Sequence, residues 1–297
     1  MEQVKEIFPV LITGRLYKVF ILLLLIMGWM GPYVFGTGTG SRTSKLIMVR
    51  PALLANAGAT GVFLCGADTF YQPPILCYHQ VRDWKASDSR SDKAYIMPVK
   101  TFAEHMKILH ESGYQTLLPQ EWLGYMERHE PLPEKCFILT FDDGSRGQFS
   151  NALPLLNRYN YKAVFFIMTV TIDKNYYLTR EQLQGLCKAG HVIGCHTWSH
   201  PDMRFLKEGD WYDQVVKPGK LLGDITGNTI SCFAYPYGSW NSNAVQQLKK
   251  NDYKMAFQLN GPYEKGSQMF TIRRIAIDGR WSGATLMKAV SDFNVHR

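Results

Sequence analysis

Residues 136–144 of this chain read CFILTFDDG, an apolar run that leads directly into two carboxylates and a glycine. A short apolar run bounded by a turn signal is typical of a strand buried on both faces, as the strands of parallel sheets are. An Asp-Gly pair commonly forms the turn after such a strand. The stretch therefore predicts a buried strand that carries acidic side chains at its carboxyl end.

The same pattern recurs from about residue 72 onward, where short apolar runs alternate with segments of helical period. The strands predicted from these runs cover residues 74–78, 116–118, 136–141, 163–168, 192–195, 230–234, 255–258 and 271–277. Capping-box patterns at residues 101–104 and 179–182 predict two helix starts, with Gly113 and Gly190 ending those helices. This alternation predicts an α/β fold with a parallel sheet, either open or closed into a barrel.

The first seventy residues do not follow this pattern. Residues 19–36 contain no charged side chain, and 18 such residues are long enough to cross a bilayer. We expect an uncleaved transmembrane helix here, with a cleaved signal peptide as the alternative. Three basic residues precede the stretch and three follow it before residue 51, so the charges do not decide its orientation. The predicted division is a membrane anchor or signal segment at 1–36, a linker at 37–71 and one catalytic domain at 72–297.

The composition excludes several classes of protein. Apolar residues make up 46% of the 297 residues, which excludes a chain that is mainly disordered. Lysine and arginine number 33 against 25 acidic residues, a net charge of +8, but no basic stripe is interleaved with aromatic residues. We therefore predict no nucleic-acid partner. None of the six cysteines forms a CxxC pair, and four lie in apolar runs where we expect small buried hydrophobes: Cys77, Cys136, Cys195 and Cys232.

Reactive side chains collect at the ends of three predicted strands, as expected of a parallel α/β fold. Asp142 and Asp143 follow one strand, and adjacent carboxylates point in different directions, so one can bind a metal while the other acts as a base. His196 and His200 follow another strand and would face one side if the segment forms a helical turn. With Asp143 they make a three-ligand set of the kind that a catalytic zinc requires. His79 ends the first predicted strand.

Other interpretations of these residues are open when each motif is taken alone. The Asp-Asp-Gly segment could be a solvated turn, the two histidines could be surface residues, and His79 could be structural. After the strand at 230–234 the chain reads YPYGSW, which predicts a turn with aromatic walls. We interpret Tyr235, Tyr237 and Trp240, together with Trp198, as candidate substrate contacts, with packing in the fold as the alternative for each.

Three motifs in order, TFDDG at 140–144, HTWSHP at 196–201 and FAYPYG at 233–238, resemble the first three motifs of polysaccharide deacetylases, carbohydrate esterase family 4. The resemblance covers roughly residues 72–280 and implies the NodB-like domain of that family, a distorted or incomplete (β/α) barrel. It implies that Asp143, His196 and His200 bind a divalent metal and that Asp142 is the general base. Zinc is the expected ion, with cobalt or nickel as alternatives.

The chain departs from that family pattern in two places. Many members carry an arginine where this chain has Ala234, and that arginine orients the catalytic aspartate; Arg273 or Arg274 is the candidate to replace it. The late Leu-x-His motif is also missing, because residues 275–278 read IAID. The FAYPYG motif and the first strand ending in His79 resemble the circularly permuted branch that acts on poly-β-1,6-N-acetylglucosamine in biofilms. In that branch the acid histidine comes from the first strand, which implies His79.

The resemblance implies a hydrolase that removes N-acetyl groups from N-acetylglucosamine units of an extracellular polysaccharide, with poly-β-1,6-N-acetylglucosamine as the expected substrate. One alternative is a deacetylase of peptidoglycan or chitin oligosaccharides. Another is a membrane-tethered glycan-binding protein with an inactive site. With the N-terminal segment, we expect a single-pass membrane protein whose catalytic domain is extracellular.

Overall fold

The structure is a computed structural model that describes residues 70–295. The predicted anchor or signal segment at 1–36, with its transmembrane helix, and almost all of the predicted linker at 37–71 lie outside the described residues. Among residues 70–295, no helix combines the length and the apolar character needed to cross a membrane.

Strands and helices alternate along the described chain. The strands are β1 (Ile75–Tyr78), β2 (Gln80–Val81), β3 (Ile96–Met97), β4 (Gln115–Thr116), β5 (Cys136–Phe141), β6 (Val164–Ile167), β7 (Val192–Cys195), β8 (Cys232–Ala234), β9 (Met255–Phe257) and β10 (Ile275–Ala276). The helices are α1 (Asp92–Tyr95), α2 (Val99–Glu111), α3 (Pro119–Glu127), α4 (Leu153–Arg158), α5 (Arg180–Lys188), α6 (Lys217–Thr226), α7 (Ser242–Lys250) and α8 (Gly283–Val295). A π-helical turn, Gln148–Ala152, leads into α4, and another, Tyr212–Val216, leads into α6.

The main sheet is parallel and has the order β10-β1-β5-β6-β7-β8-β9, with β4 joined to β5 and with β2 and β3 forming a small separate sheet. All six residues of β5 are buried, as expected of a central strand covered on both faces. Its side chains alternate between two apolar clusters, with Leu139 in one and Ile138 in the other. The predicted α/β class with a parallel sheet is confirmed.

The sheet curls, because the chain around β10 bonds to both of its edges. Ile272 pairs with the β9 side, where it accepts the N–H of Gln258 at 2.8 Å. Three residues later, β10 pairs in parallel with β1, and the Ile277 N–H donates to Cys77 at 3.0 Å. The predicted strand at 271–277 is therefore two short pairings separated by a bend. The result is a curled, half-barrel sheet, which agrees with the predicted incomplete or distorted barrel.

The two predicted capping boxes have different outcomes. At α5 the Thr179 side chain accepts the Gln182 N–H and the Gln182 side chain accepts the Thr179 N–H, so this prediction is confirmed. The prediction at residues 101–104 is wrong. Helix α2 begins at Val99, directly after Pro98, so Thr101 lies inside the first turn. Proline has no N–H and a fixed φ, which makes it a natural residue at a helix start.

The four cysteines predicted to be buried hydrophobes are buried free thiols: Cys77, Cys136, Cys195 and Cys232. Burial raises the pKa of Cys195 to about 11 and that of Cys232 to about 12. Both side chains therefore stay neutral and behave as small apolar groups at the sheet.

Candidate active site

The reactive residues predicted from the sequence meet in one cleft at the carboxyl edge of the sheet. The cleft has a volume of about 540 Å³ and follows the ends of β1, β5, β7 and β8. All five of the predicted metal and catalytic residues line it: His79, Asp142, Asp143, His196 and His200. Parallel strands bring their carboxyl ends to the same edge, which is why residues more than a hundred positions apart share this cleft.

Asp143, His196 and His200 place one donor atom each within 4.8 Å of one another. The Asp143 Oδ1 lies 3.5 Å from His196 Nε2 and 3.6 Å from His200 Nε2. Donors about 2.0–2.2 Å from a tetrahedral zinc ion would be roughly 3.4 Å apart, so these spacings fit such an ion. This chemistry of two imidazoles and one carboxylate is that of a metal site with an open position.

The protonation of the two histidines also fits metal binding. His196 Nδ1 lies 2.7 Å from the Ala234 carbonyl, which can only accept, so Nδ1 carries a proton and Nε2 is the nitrogen that the neutral ring offers to a metal. A backbone carbonyl bound to the far nitrogen is a common way of orienting a metal ligand. Burial, and then the nearby His196, lower the pKa of His200, which favours the neutral ring that a metal requires.

The two histidines come together through a bend, and not through the helical turn that their spacing allowed. No helix includes residues 196–200, and both Thr197 and His200 have left-handed φ angles, +65° and +66°. The bend is closed by the His200 N–H, which donates to Thr197 Oγ1 at 2.9 Å. The rings still lie 4.9 Å apart, centroid to centroid. Strained backbone of this kind is typical of functional sites.

Asp142 is buried and held by Arg274. The guanidinium donates from Nη1 to Oδ1 at 2.6 Å and from Nη2 to Oδ2 at 2.7 Å. Burial alone would raise the pKa of Asp142, but the charge of Arg274, followed by that of His196, lowers the pKa well below its usual range. The carboxylate is therefore ionised at neutral pH.

Arg274, and not Arg273, is the residue that contacts the predicted base. The Arg273 side chain points elsewhere: its Nε donates to the Gly261 carbonyl, and its guanidinium lies 4.2 Å from the centre of the Tyr263 ring. The sequence offered both arginines as candidates but held no signal that separates two neighbours in the bend between Ile272 and β10.

A second set of possible metal donors, Cys77, His79 and Asp142, lies beside the first. It is a poorer cation site because the Arg274 guanidinium already occupies both oxygens of Asp142. A divalent cation there would be repelled by that charge at close range. The Cys77 thiol is buried and its Sγ lies 3.5 Å from Asp142 Oδ2, so it serves as a weak donor to the carboxylate.

His79 directly follows β1 and faces the two aspartates. Burial lowers the pKa of His79, and the carboxylates of Asp142 and Asp143 offset only part of that effect. Its ring packs edge-on against Tyr95, at 5.1 Å between centroids. Its Nδ1 is buried and has no hydrogen-bond partner among residues 70–295.

The rim of the cleft includes residues that the sequence reasoning missed. Asp88, Asp92 and Tyr95 line it from the segment between β2 and β3. Asp88 is bound by Arg82 through bonds of 2.8 and 2.9 Å, whereas the Tyr95 ring is 57% exposed. The sequence of this segment is mostly polar and lacks a motif, so its position over the cleft became visible only in the fold.

The four aromatic residues predicted to contact substrate occupy different positions. Tyr237 lines the cleft, is 65% exposed and lies edge-on to His200 at 4.5 Å. Tyr235 is fully buried beneath the cleft and donates its hydroxyl to the Phe270 carbonyl, so its ring cannot stack on a sugar.

The two tryptophans do not line this cleft. The indole N–H of Trp240 donates to Gln258 Oε1 at 3.0 Å, while Lys217 lies over the ring of Trp198 at 4.8 Å. Their positions therefore favour the packing alternative over a substrate contact in the cleft.

Residues 129–256 match the family model described as polysaccharide deacetylase. YxkH of Bacillus subtilis, which is named provisionally as a polysaccharide deacetylase, is 29% identical over 212 residues, 71% of this chain and 73% of that protein. The poly-β-1,6-N-acetyl-D-glucosamine N-deacetylase of Escherichia coli (strain K12) is 27% identical over 250 residues, 68% of this chain. The peptidoglycan-N-acetylglucosamine deacetylase PgdA of Listeria monocytogenes is 31% identical over 115 residues, 38% of this chain.

This chain spans only 36% of the Escherichia coli relative and 24% of the Listeria relative. Among solved structures, the Streptococcus pyogenes deacetylase PplD has the same fold, with a TM-score of 0.67 and 23% identity. The alignment covers 75% of this chain and 99% of that structure.

Proposed function

This chain belongs to the polysaccharide deacetylase family of amide hydrolases, and from that premise we propose that it removes N-acetyl groups from N-acetylglucosamine units of an extracellular polysaccharide, with poly-β-1,6-N-acetylglucosamine as its substrate. The observation that carries the chemistry is the buried Asp142 carboxylate, held by Arg274 beside the Asp143, His196 and His200 donors in one cleft. Metal-assisted amide hydrolysis requires an ionised base next to a metal with an open coordination position, and this arrangement supplies the base and the donors for the metal.

The choice of polymer is supported by how much of the chain each relative matches. The Escherichia coli enzyme, named for poly-β-1,6-N-acetylglucosamine, aligns with 68% of this chain, against 38% for the peptidoglycan enzyme of Listeria. The Listeria enzyme has the higher identity over its shorter match, so peptidoglycan is the second candidate, with chitin oligosaccharides as a third. A glycan-binding protein with an inactive site has less support, because its site would have no need for the Arg274-held carboxylate.

Asp143, His196 and His200 would hold the divalent cation, with zinc as the expected ion and cobalt or nickel as alternatives. When bound, such an ion makes a nearby water more acidic and an amide carbonyl more electrophilic. The other contributions come from side chains of the chain itself.

Asp142 takes a proton from the attacking water. Its low pKa keeps it ionised, and Arg274 fixes the orientation of the carboxylate. General-base assistance of this kind is typically worth about 10²–10⁴-fold in rate. As the proton moves to Asp142, the water oxygen forms a bond to the acetyl carbon, and negative charge develops on the former carbonyl oxygen.

His79 supplies a proton to the departing nitrogen. An amine leaves poorly until it is protonated, and the lowered pKa of His79 makes its protonated ring a stronger acid. The carbon–nitrogen bond then breaks, giving acetate and a glucosamine unit. Return of the proton from Asp142 to His79 completes the cycle, and donor atoms of these two residues lie within 4.8 Å.

Tyr237 is the proposed contact for the sugar. Its exposed ring stands at the wall of the cleft beside His200, where it can stack on a sugar face. Backbone N–H groups near this residue, which has a φ of +60°, are candidates to stabilise the developing oxyanion.

The test is acetate release from poly-β-1,6-N-acetylglucosamine, peptidoglycan and chitin oligosaccharides, each with and without a chelator. The proposal expects the largest release from the β-1,6 polymer, loss of activity with the chelator and recovery on adding zinc. Full activity after removal of the metal would contradict the metal-assisted reaction. Release from peptidoglycan alone would favour the second candidate.

We also propose that residues 1–36 anchor the protein in the membrane by a single span and place the catalytic domain outside the cell. The support is the uncharged run at 19–36 and the extracellular location of the proposed polymer. A reporter that is active only outside the cytoplasm, fused to the C-terminus, should be active. A fusion protein that is expressed but shows no reporter activity would contradict this orientation.

A further inference from the structure

Gln148 joins the two strand ends that carry the proposed acid and base. Its Nε2 donates to the backbone carbonyl of His79 at 2.8 Å and to that of Asp142 at 2.6 Å. The side chain is fully buried and belongs to the π-helical turn that leads into α4. We propose that Gln148 is a positioning residue for the reaction, which fixes His79 and Asp142 relative to each other. The inference rests on the proposed function, in which these two residues move the protons.

The hydrogen bonds themselves determine how the amide of Gln148 is oriented. Two carbonyl oxygens can only accept, and the amide nitrogen has two N–H groups, one for each. The flipped orientation would place Oε1 against both oxygens. In the observed one, Oε1 is buried and has no partner among the described residues. Burying an unpaired acceptor is unfavourable, so packing alone does not account for a glutamine here.

The two hydrogen bonds of the Gln148 amide form a bridge between strand ends, and the position of this bridge explains why it is needed. The register of β1 and β5 ends at the pair of Tyr78 with Phe141, after which the Asp142 N–H donates to the Tyr78 carbonyl at 2.9 Å. His79 and the carbonyl of Asp142 lie just beyond this pairing. Gln148 therefore continues the cross-link between the two strands past the point where the ladder stops.

The consequence concerns the side chains of the reaction. A ring nitrogen of His79 and a carboxylate oxygen of Asp142 lie within 4.8 Å, and both are carried by the backbone that Gln148 holds. Without the Gln148 bond, the His79 carbonyl keeps only one donor among residues 70–295, the Ser145 hydroxyl at 3.5 Å. A displacement of about 1 Å at reacting groups can lower the rate by a factor of about 10².

The same turn contains a matched control. Asn151 Nδ2 donates to the Val81 carbonyl at 2.8 Å, so it also ties the turn to the chain after β1. Val81 has no part in the proposed reaction. Replacing Asn151 therefore removes a similar amide-to-backbone bond without releasing an acid or a base.

The experiment compares Gln148→Met and Asn151→Leu, each of which keeps the approximate size of the side chain and removes the amide. Acetate release is measured with β-1,6-linked N-acetylglucosamine oligomers, together with zinc content and melting temperature. For Gln148→Met we expect kcat to fall about 10–100-fold, with KM and zinc content unchanged. For Asn151→Leu we expect a comparable loss of melting temperature and a kcat within about threefold of the unmodified protein.

A double-mutant cycle with His79→Ala separates positioning from a general structural effect. If Gln148 acts largely through His79, Gln148→Met should lower kcat much less in the His79→Ala background. Three results would overturn the inference. The first is an equal loss of kcat on Gln148→Met with and without His79→Ala, and the second is a loss of kcat in Asn151→Leu as large as that in Gln148→Met. The third is full activity of Gln148→Met.

If Gln148→Met does not fold, Gln148→Asn takes its place. It keeps the amide with a shorter reach, and we expect an intermediate loss of kcat; an unchanged kcat would again overturn the inference. An unmodified protein that releases no acetate from any polymer would instead refute the proposed function, so the two failures are distinguishable.

Discussion

Arg274 and Asp142 form a bidentate ion pair, with bonds of 2.6 and 2.7 Å between two side chains that are almost completely buried. They are 132 residues apart in the sequence. The pair joins the chain next to the last strand, β10, to the end of the central strand, β5. It keeps a carboxylate ionised inside the protein, where burial alone would favour the neutral acid.

Replacing Arg274 should therefore move the pH at which the enzyme works. In Arg274→Met, burial raises the pKa of Asp142 with no guanidinium to oppose it, so the base is protonated over more of the pH range. We expect kcat/KM at neutral pH to fall at least about 10²-fold and its acidic limb to move to higher pH. Arg273→Met is the control, and a similar pH shift in that variant would contradict the assignment of Arg274.

Arg274→Lys tests geometry apart from charge. An ammonium cannot form the two parallel bonds of a guanidinium, so orientation of the carboxylate should suffer while its ionisation is largely retained. We expect a loss of kcat smaller than that of Arg274→Met, with little movement of the acidic limb. If the acidic limb of Arg274→Lys moves as far as that of Arg274→Met, the lysine charge does not keep Asp142 ionised, which would contradict this prediction.

Replacing each of the two neighbouring aspartates by asparagine should have different effects on acetate release and on zinc content. Asp142→Asn removes the proposed base and should lower acetate release by about 10²–10⁴-fold, with zinc content close to that of the unmodified protein. Asp143→Asn removes a proposed metal ligand and should lower zinc affinity together with activity. Zinc content is measured by elemental analysis after dialysis, and the opposite pattern would mean that the two roles are exchanged.

His79→Ala should damage turnover without affecting the metal. His79 is the proposed acid for the amine, and none of its nitrogens belongs to the set formed by Asp143, His196 and His200. We expect kcat on the β-1,6 oligomers to fall about 10²–10⁴-fold. Unchanged turnover would make His79 a structural residue.

Replacing Tyr237 should change KM, whereas replacing Tyr235 should change stability, although only one residue lies between them. Tyr237→Ala removes an exposed ring, so we expect KM to rise with little change in melting temperature. Tyr235→Phe removes a buried hydroxyl that donates to Phe270, which should cost about 1 kcal/mol of stability and leave KM unchanged. A higher KM in Tyr235→Phe alone would reverse the assignment.

His191 should make the protein sensitive to acid. Burial lowers its pKa to about 4, and its Nδ1 accepts the Ala163 N–H. The unfolded chain, with a pKa of about 6.5, therefore binds more protons between pH 6.5 and 4, and stability falls as the pH is lowered through that window. At about 1.4 kcal/mol per pH unit, the loss across this window amounts to at most about 3–4 kcal/mol.

Denaturant titrations at several pH values test this. His191→Asn keeps an acceptor near Ala163 but cannot titrate, so its free energy of unfolding should fall less between pH 6.5 and 4. The exposed residue His129 provides the control His129→Asn. A pH dependence in His191→Asn equal to that of the control would contradict the prediction.

The local pattern of the sequence was enough to locate the strands that carry the site. The run at 136–141 is a strand of the predicted bounds, and so is 192–195, because uninterrupted apolar runs in a parallel sheet leave a clear signal. The positions of His79, Asp142 and His200 at one edge followed from the same pattern. Once the strands are known to be parallel, their carboxyl ends must meet.

Other features depended on atoms that are distant in the sequence. The pattern of residues along the chain cannot tell whether Arg273 or Arg274 reaches Asp142, since that depends on the register of β10 against β1 and on the bend that precedes it. The spacing of His196 and His200 allowed a helical turn, but the left-handed backbone at Thr197 produced a bend instead. Gln148 carried no signal at all, because its partners are backbone carbonyls and every residue has one.

The sequence by itself therefore determined which chemistry the chain can perform, and the tertiary structure decided which side chains hold that chemistry in place. The physical reason is that reactive groups are recognised by residue type and by the strand they follow, both of which are local. The supporting contacts of Arg274 and Gln148 join segments that only the completed sheet brings together. They act through hydrogen bonds whose strength depends on tenths of an ångström, and sequence spacing does not encode distances on that scale.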